Sequence, residues 1–273
     1  MSPDRLTVRS PDGALAELHR RGAHITSWVP AGGEERLFLS AASEFRDGTA
    51  IRGGVPVIFP QFAAEGPLPR HGFARTAEWA SAAVGPGSRA AASATFRLTD
   101  SPATRAIWPH EFVADLTVAV GGASLRIELA VLNAGHQSFT FSGALHTYLR
   151  VDDVRRTFVH GLYGIAYRDP SAPGGTRIDD APELGIEGEI DRVYLGAPSR
   201  LEVREPHRSL LVESTGFPDA VIWNPGAERA AALADLEPGG WQRMLCVEAA
   251  VVGVPVRLAP GERWTGSQTL IAR

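Results

Sequence analysis

The sequence predicts an all-β fold, a large antiparallel β-sandwich with very few short helices. Apolar and polar residues alternate along many short segments, as is typical of strands that bury one face. Turn signals that contain glycine recur between these segments. No stretch carries the apolar stripe of an amphipathic helix three turns long. Since no long linker or repeat interrupts the pattern, we expect residues 1–273 to form a single domain.

In chain order, the predicted strands begin close to the N-terminus. The alternation is clearest at 14–18, 111–120 and 124–132. Gly121-Gly122, between the last two of these segments, predicts a tight hairpin. Further strands are predicted near 23–29, 36–39, 90–98, 139–150, 155–160, 200–204, 209–214, 219–223, 244–251 and 264–271.

The helix signal is short, and one long loop is predicted. Ser101 is a good N-cap residue and Pro102 suits a first helical position, so one or two helical turns are expected there. The stretch 170–189 is rich in Gly, Pro, Asp and Glu and is predicted to be the longest loop. Asp191 follows it at the start of a strand, a place where functional residues are common, although a surface pair with the neighbouring Arg192 is the more ordinary interpretation of these residues alone.

Composition excludes several classes of protein. The net charge of −4 and the pI near 6.1 favour no nucleic acid partner. No apolar run approaches the ~18 residues that would span a membrane. The N-terminus lacks the apolar segment of a signal peptide. We therefore expect a cytoplasmic protein that binds neither nucleic acid nor membrane.

The presence of only one cysteine and the absence of lysine exclude further kinds of chemistry. Cys246 is the single cysteine, which excludes an internal disulfide and a zinc site built from cysteines. All 27 basic side chains are arginine. The absence of lysine excludes Schiff-base chemistry, attachment of pyridoxal phosphate and a P-loop lysine.

The stretch 51–79 concentrates candidate binding residues. Arg52, Arg70, His71 and Arg75 lie there, between two segments that contain glycine and flank an apolar run. Glycine allows a backbone to approach a ligand closely, and the arginine fork suits phosphate or carboxylate. A surface loop with solvated arginines is an equally good interpretation of the composition alone.

His146 and Glu248 are the candidates for proton transfer. His146 lies in an alternating, strand-like segment, and histidine is the side chain best suited to exchange a proton near neutral pH. For a lone histidine, a hydrogen-bonded place in the core is the more ordinary interpretation. Glu248 lies within the most apolar strand of the chain, where burying a carboxylate is unfavourable by several kcal/mol unless it is paired. A functional site is therefore favoured at Glu248.

Other interpretations remain open on these residues. His71, His146 and Glu248 could form a metal site, but no pair of them has short-range ligand spacing. Glu248 and Asp191 could be the carboxylate pair of a glycoside hydrolase. Trp223, next to a turn, could stack on a sugar ring or pack in the core.

Several motifs together resemble the aldose 1-epimerase (mutarotase) family, and most closely its glucose-6-phosphate 1-epimerase branch. They occur in the family's order and span nearly the whole chain. They are Ile51-Arg52-Gly53-Gly54-Val55-Pro56, His71-Gly72-Phe73-Ala74-Arg75, Trp108-Pro109-His110, Ala144-Leu145-His146-Thr147-Tyr148, Asp191-Arg192-Val193-Tyr194, Trp223-Asn224-Pro225 and Cys246-Val247-Glu248.

The resemblance implies a galactose-mutarotase-like β-supersandwich and an isomerase that converts the anomers of a hexose 6-phosphate. It implies that Glu248 is the general base, that His146 is the general acid and that Asp191 holds sugar hydroxyls. The remaining substrate-binding residues that it implies are Arg52, Arg70, His71 and Arg75.

The resemblance also sets expectations about partners. The reaction has no redox step, so no cofactor and no metal are expected, and we expect a monomer that binds a small sugar phosphate. An epimerase of free aldoses and a non-catalytic carbohydrate-binding protein are the alternatives. Gln61-Phe62-Ala63 and Ile190 depart from the family pattern and could alter sugar preference.

Overall fold

The computed structural model describes residues 4–86, 91–170 and 175–273, and strands dominate it. The strands are β1 (Arg5–Arg9), β2 (Leu15–His19), β3 (His24–Val29), β4 (Val57–Ile58), β5 (Ala80–Pro86), β6 (Ala92–Thr99), β7 (Phe112–Gly121), β8 (Ser124–Asn133), β9 (Phe139–Leu145), β10 (Tyr148–Arg150), β11 (Phe158–His160), β12 (Ala166–Arg168), β13 (Thr176–Ile178), β14 (Glu183–Gly185), β15 (Ile190–Tyr194), β16 (Arg200–Arg204), β17 (Ser209–Thr215), β18 (Asp219–Asn224), β19 (Met244–Leu258) and β20 (Arg263–Ala272).

These strands form three antiparallel sheets. A nine-stranded sheet has the order β14-β11-β16-β17-β20-β8-β7-β6-β5. An eight-stranded sheet has the order β13-β12-β15-β18-β19-β9-β4, and β10 also pairs with β19. Strands β1, β2 and β3 form a third, smaller sheet. A large apolar cluster contains side chains from all three sheets, so the predicted β-sandwich is confirmed.

Helices are few in the described part of the chain. Helix α1 (Pro102–Ile107) begins at the predicted proline, and Ser101 caps it in a reciprocal capping box with Thr104. Helix α2 (Gly226–Ala231) was not predicted, because six residues are too few for a periodic pattern. Neither helix is long and apolar enough to cross a membrane.

Most predicted strands are present, with three corrections. Residues 36–39 make only isolated bridges, through Leu37 and Leu39. The segment 139–150 is two strands, and His146 lies in the gap between them. A short 3-10 turn occupies the start of the predicted strand at 155–160.

The longest predicted loop, 170–189, is partly ordered into strands. Its residues 171–174, like 87–90 around the start of the predicted strand at 90–98, lie outside the described part of the chain. Beyond them, β13 pairs with β12 and β14 pairs with β11. These edge strands are three residues long, so their alternation is too short to read from the sequence.

Strand β19 positions the functional site because its two faces meet different surroundings. Leu245, Val247 and Ala249 belong to the large interior cluster. The alternate residues Cys246 and Ala250 belong to two smaller clusters on the other face of the sheet. A carboxylate at position 248 therefore points away from the main core, as the period of two requires.

Candidate active site

A cleft of about 600 Å³ lies on this second face of the eight-stranded sheet. Its volume is within the range of sites that enclose a small molecule. All seven of the predicted site residues line it: Arg52, Arg70, His71, Arg75, His146, Asp191 and Glu248. The structure therefore brings together side chains that are almost 200 positions apart in the chain.

Strand register explains why these side chains meet. Asp191 pairs with Trp223, Trp223 pairs with Cys246, and Cys246 pairs with Tyr148. Directly paired residues point to the same face of a sheet, so this row crosses the floor of the cleft. Glu248 lies two residues beyond Cys246 and therefore points to the same face.

His146 and Glu248, which we call the acid–base pair, are adjacent and buried. His146 Nδ1 lies 3.2 Å from Glu248 Oε1, and the side chains are 12% and 2% exposed. The two groups are not aligned as a hydrogen bond. Nδ1 and Glu248 Oε2 have no hydrogen-bond partner among the described residues. Buried polar atoms are rarely left unpartnered, so the described residues alone do not satisfy the hydrogen-bonding capacity of this pair.

The backbone on either side of the acid–base pair is fixed from the interior. His146 N–H donates to Pro56 O at 3.0 Å. Gln268 of β20, which is fully buried, accepts a hydrogen bond from the Thr147 hydroxyl and donates to Val247 O. One amide thus holds the neighbours of both members of the pair, which restricts their relative position.

Burial also decides the protonation of the acid–base pair. Burial lowers the pKa of His146 well below its ordinary value, and the positive charges of Arg52 and Arg75 act in the same direction. Burial raises the pKa of Glu248 well above its ordinary value, and Asp191 adds to the effect. Both shifts therefore disfavour the charged form of their group in the unliganded cleft.

His71 is a neutral hydrogen-bond donor. Its Nδ1 accepts a hydrogen bond from Ala63 N at 3.3 Å, which requires the ring proton to be on Nε2. Burial, with the charges of Arg75 and Arg70, lowers the pKa of His71 to about 3. His71 also has a left-handed backbone with φ of 66°, which is rare outside glycine and typical of functional sites.

The arginines of the cleft differ in their partners. Arg52 binds Asp235 Oδ2 through Nε at 3.1 Å, and Arg229 binds Glu189 at 2.6 Å. Arg75 donates to the backbone oxygen of Arg70 at 3.1 Å. Within the described residues, neither Arg70 nor Arg75 has a carboxylate within ion-pair distance. Two positive charges therefore face the cleft with no carboxylate partner in the part of the chain that the structure describes.

Asp191 lines the same cleft as these arginines. Burial raises the pKa of its carboxyl group to about 6, although Arg229 and Arg70 oppose the shift. The side chain lines the cleft, where it can accept hydrogen bonds from hydroxyl groups.

The glycines at 53 and 72 act differently from the expectation. A Cβ at Gly72 would lie 2.1 Å from Phe59 O, and a Cβ at Gly53 would lie 2.4 Å from Phe38 O. Both residues have positive φ. These glycines let neighbouring backbone segments pack closely against each other, whereas the expectation was a close approach to the ligand.

Other residues that line the cleft had no settled role in the sequence. Tyr148 is two residues beyond His146, and that spacing is a signal that could have identified it. Arg229 lies on the unpredicted helix α2, and Asp235 follows it in a loop. Trp223, whose role the sequence left open, lies in a T-shaped arrangement with the His146 ring, with 6.0 Å between ring centroids. Among the described residues, no three histidine, cysteine or acidic side chains are grouped to hold a metal ion.

Residues 4–270 match the model of the aldose 1-epimerase family. The chain belongs to this family. A "putative glucose-6-phosphate 1-epimerase" from Cenchrus ciliaris is 35% identical to it over 280 residues, covering 98% of this chain and 84% of the relative. The crystal structure of a "putative mutarotase" from Salmonella typhimurium aligns with a TM-score of 0.90 at 31% identity, covering 98% and 90% of the two chains.

A more distant structure shares the fold alone. A galactose mutarotase-like protein from Lactobacillus casei aligns with a TM-score of 0.75 at 18% identity, covering 98% of this chain and 100% of its own. The predicted family and the galactose-mutarotase-like fold are confirmed. As an aldose 1-epimerase, the protein is an isomerase that interconverts sugar anomers, and the cleft is its candidate sugar site.

Proposed function

We propose that this aldose 1-epimerase acts on a hexose 6-phosphate, with glucose 6-phosphate as the first candidate. The observation that carries the proposal is the position of Arg70 and Arg75, which face the cleft beside the acid–base pair without a carboxylate partner among the described residues. Arginine forks bind phosphate oxygens through charge-assisted hydrogen bonds. The name of the Cenchrus ciliaris relative supports the same substrate.

Glu248 and His146 are proposed to move the protons that open the sugar ring. Ring opening removes the proton from the C1 hydroxyl, breaks the bond between C1 and the ring oxygen, and places a proton on that oxygen. Rotation about the C1–C2 bond then presents the other face of the aldehyde. Closure reverses both proton transfers and yields the other anomer, so the reaction consumes no proton and no electron.

The opposite pKa shifts of the acid–base pair bear on this scheme. Glu248 must be ionised to act as the base, and His146 must be protonated to act as the acid. Burial opposes both charged forms, so the substrate's hydroxyl groups are proposed to stabilise them when the substrate occupies the cleft. A carboxylate 3.2 Å from an imidazolium carries no net charge as a pair, which limits the unfavourable burial of charge.

Binding residues at both ends of the sugar are proposed to keep the open chain in place. Arg52, Arg70 and Arg75 hold the phosphate, His71 donates to a sugar oxygen and Asp191 accepts from hydroxyl groups. An anchored aldehyde recloses at the acid–base pair faster than it diffuses away, because the reacting groups stay oriented.

An NMR exchange experiment tests this function. Anomer exchange is measured for glucose, galactose and mannose, each with and without the 6-phosphate. We expect acceleration of at least one 6-phosphate, and loss of that acceleration in Glu248→Gln and His146→Ala with the fold retained. Glu128→Gln, which changes a carboxylate in the other sheet, is the control and keeps full activity. Equal acceleration of free and phosphorylated sugars would refute the proposal that the substrate is a hexose 6-phosphate. Full activity in Glu248→Gln or His146→Ala would refute the proton-transfer role of the substituted residue.

A further inference from the structure

Tyr148 connects the acid–base pair to the arginines. It lies on β10, is 2% exposed, and lines the cleft. Its ring is stacked on the imidazole of His146, with 4.8 Å between ring centroids and 7° between ring planes. Its hydroxyl oxygen accepts a hydrogen bond from Arg52 Nη1 at 3.0 Å. One side chain therefore contacts both a proposed proton donor and a proposed phosphate ligand.

The stacked ring limits the orientation of the imidazole. His146 Nδ1 has no aligned hydrogen bond among the described residues, so hydrogen bonding does not fix the ring at this atom. The face of Tyr148 and the edge of Trp223, at 4.8 Å and 6.0 Å between centroids, restrict its rotation instead. Proton transfer to a ring oxygen depends on such orientation, because a displacement of about 1 Å can cost about a hundredfold in rate.

The hydroxyl fixes Arg52 from the side opposite to its acidic partner. Asp235 binds Nε and lies 3.1 Å from Nη2, whereas Tyr148 binds Nη1. Burial raises the pKa of the Tyr148 hydroxyl, so this group stays protonated at neutral pH. The guanidinium plane is therefore set before any anion arrives, which reduces the entropy lost on binding.

We propose that Tyr148 is a positioning residue with two separable roles. Its ring holds His146 in the orientation for proton transfer, and its hydroxyl holds Arg52 in the orientation for the 6-phosphate. The second role rests on the proposed hexose 6-phosphate substrate, whereas the first requires only anomer exchange of a sugar.

Two variants separate the roles by kinetics. Tyr148→Phe keeps the ring and removes the hydroxyl, so KM for glucose 6-phosphate rises about 3- to 10-fold while kcat stays within about twofold. Its kcat/KM for free glucose is unchanged. Tyr148→Met fills the space with a flexible apolar chain and removes the ring, so kcat falls at least about tenfold on both sugars. The phenylalanine variant thus restores the turnover that the methionine variant loses.

Tyr194→Phe is the matched control. Tyr194 is also buried, donates to Asp179 at 2.6 Å and accepts from Arg192 at 3.3 Å, but it does not line the cleft. Tyr194→Phe removes a buried, hydrogen-bonded hydroxyl as Tyr148→Phe does, and we expect unchanged kcat and KM.

An NMR measurement tests the role of the ring even if Tyr148→Met folds poorly. The His146 ring protons of wild type and Tyr148→Phe carry an upfield NMR shift from the stacked ring.

Each result decides one role. Unchanged kcat in a folded Tyr148→Met variant, or His146 signals without the ring-current shift in wild type, overturns the role of the ring. An equal change in KM for both sugars in Tyr148→Phe overturns the role of the hydroxyl. If wild type accelerates only free sugars, the proposed substrate fails together with the hydroxyl's role, and the ring's role is still decided by kcat on glucose.

Discussion

Substitution of Arg75 by alanine tests the phosphate site most directly. Arg75 is half-buried in the cleft, and its Nη2 is held by Arg70 O at 3.1 Å. Burial, together with repulsion from Arg52 and Arg70, lowers the pKa of Arg75, so a nearby anion would favour its charged form. A phosphate dianion relieves that repulsion, whereas a free sugar does not.

The magnitude follows from the contacts that are lost. A hydrogen bond to a charged group contributes about 1.5–3 kcal/mol when it is formed in a partly buried site. Since about 1.4 kcal/mol corresponds to a tenfold change, KM for glucose 6-phosphate rises about 10- to 150-fold. We expect KM for free glucose to change by less than about threefold, and kcat on glucose 6-phosphate to stay close to that of wild type.

The assay is anomer exchange by NMR at several concentrations of each sugar. Arg126→Ala is the control, because Arg126 is an exposed arginine of β8 with one carboxylate partner, Glu128 at 2.8 Å. It leaves both KM values unchanged. An equal rise in KM for glucose and glucose 6-phosphate in Arg75→Ala would mean that Arg75 binds the sugar ring, and it would refute the phosphate argument.

Three further predictions concern stability and the support of the site. In urea unfolding, we expect Gly72→Ala to lower the free energy of unfolding by at least about 2 kcal/mol, because the new Cβ would lie 2.1 Å from Phe59 O. Gly13 also has positive φ but has open space around it, so Gly13→Ala is the control and lowers the free energy of unfolding by less. Equal losses in the two variants would contradict this reasoning. Burial raises the pKa of Asp191 to about 6 from its ordinary value near 3.8, so the folded state binds the proton more tightly and loses stability as pH rises between these values. Above pH ~6, the free energy of unfolding of Asp191→Asn is therefore about 1–2 kcal/mol higher than that of wild type, and this difference vanishes near pH ~4. The variant is expected to have lower activity. A stability difference that stays constant across pH would refute this argument. Gln268→Leu leaves a buried carbonyl unpaired and loses about 1–3 kcal/mol of stability together with kcat, and an unchanged kcat would show that the amide supports the fold only.

The sequence predicts the fold well because its strands alternate strictly. The period of two in β7 and β8, with Gly121-Gly122 between them, specifies a hairpin that the structure contains. Glu248 stands out for a related reason, since a carboxylate within an apolar strand needs a special environment. Both inferences depend on residues that are close together in the chain.

Features that depend on distant contacts were not predictable in this way. His146 lies in a short gap between β9 and β10, and its N–H bonds to Pro56, which is distant in the chain and next to the pairing of Val57 with Leu145. Asp235 lies in a loop without any pattern, and only the folded chain brings it to Arg52. The roles of the seven predicted site residues stay predictions, although the cleft brings all of them together.

Gln268 makes the chemistry of the cleft depend on the interior of the protein. Its backbone belongs to the nine-stranded sheet, but its amide holds Thr147 and Val247 in the other sheet. A substitution in the interior that increases the distance between the two sheets will therefore displace Thr147 and Val247, the neighbours of His146 and Glu248, although the substituted residue does not line the cleft. The packing of the interior therefore helps to set the relative position of His146 and Glu248, so its side-chain volumes bear on the geometry of the cleft as well as on stability.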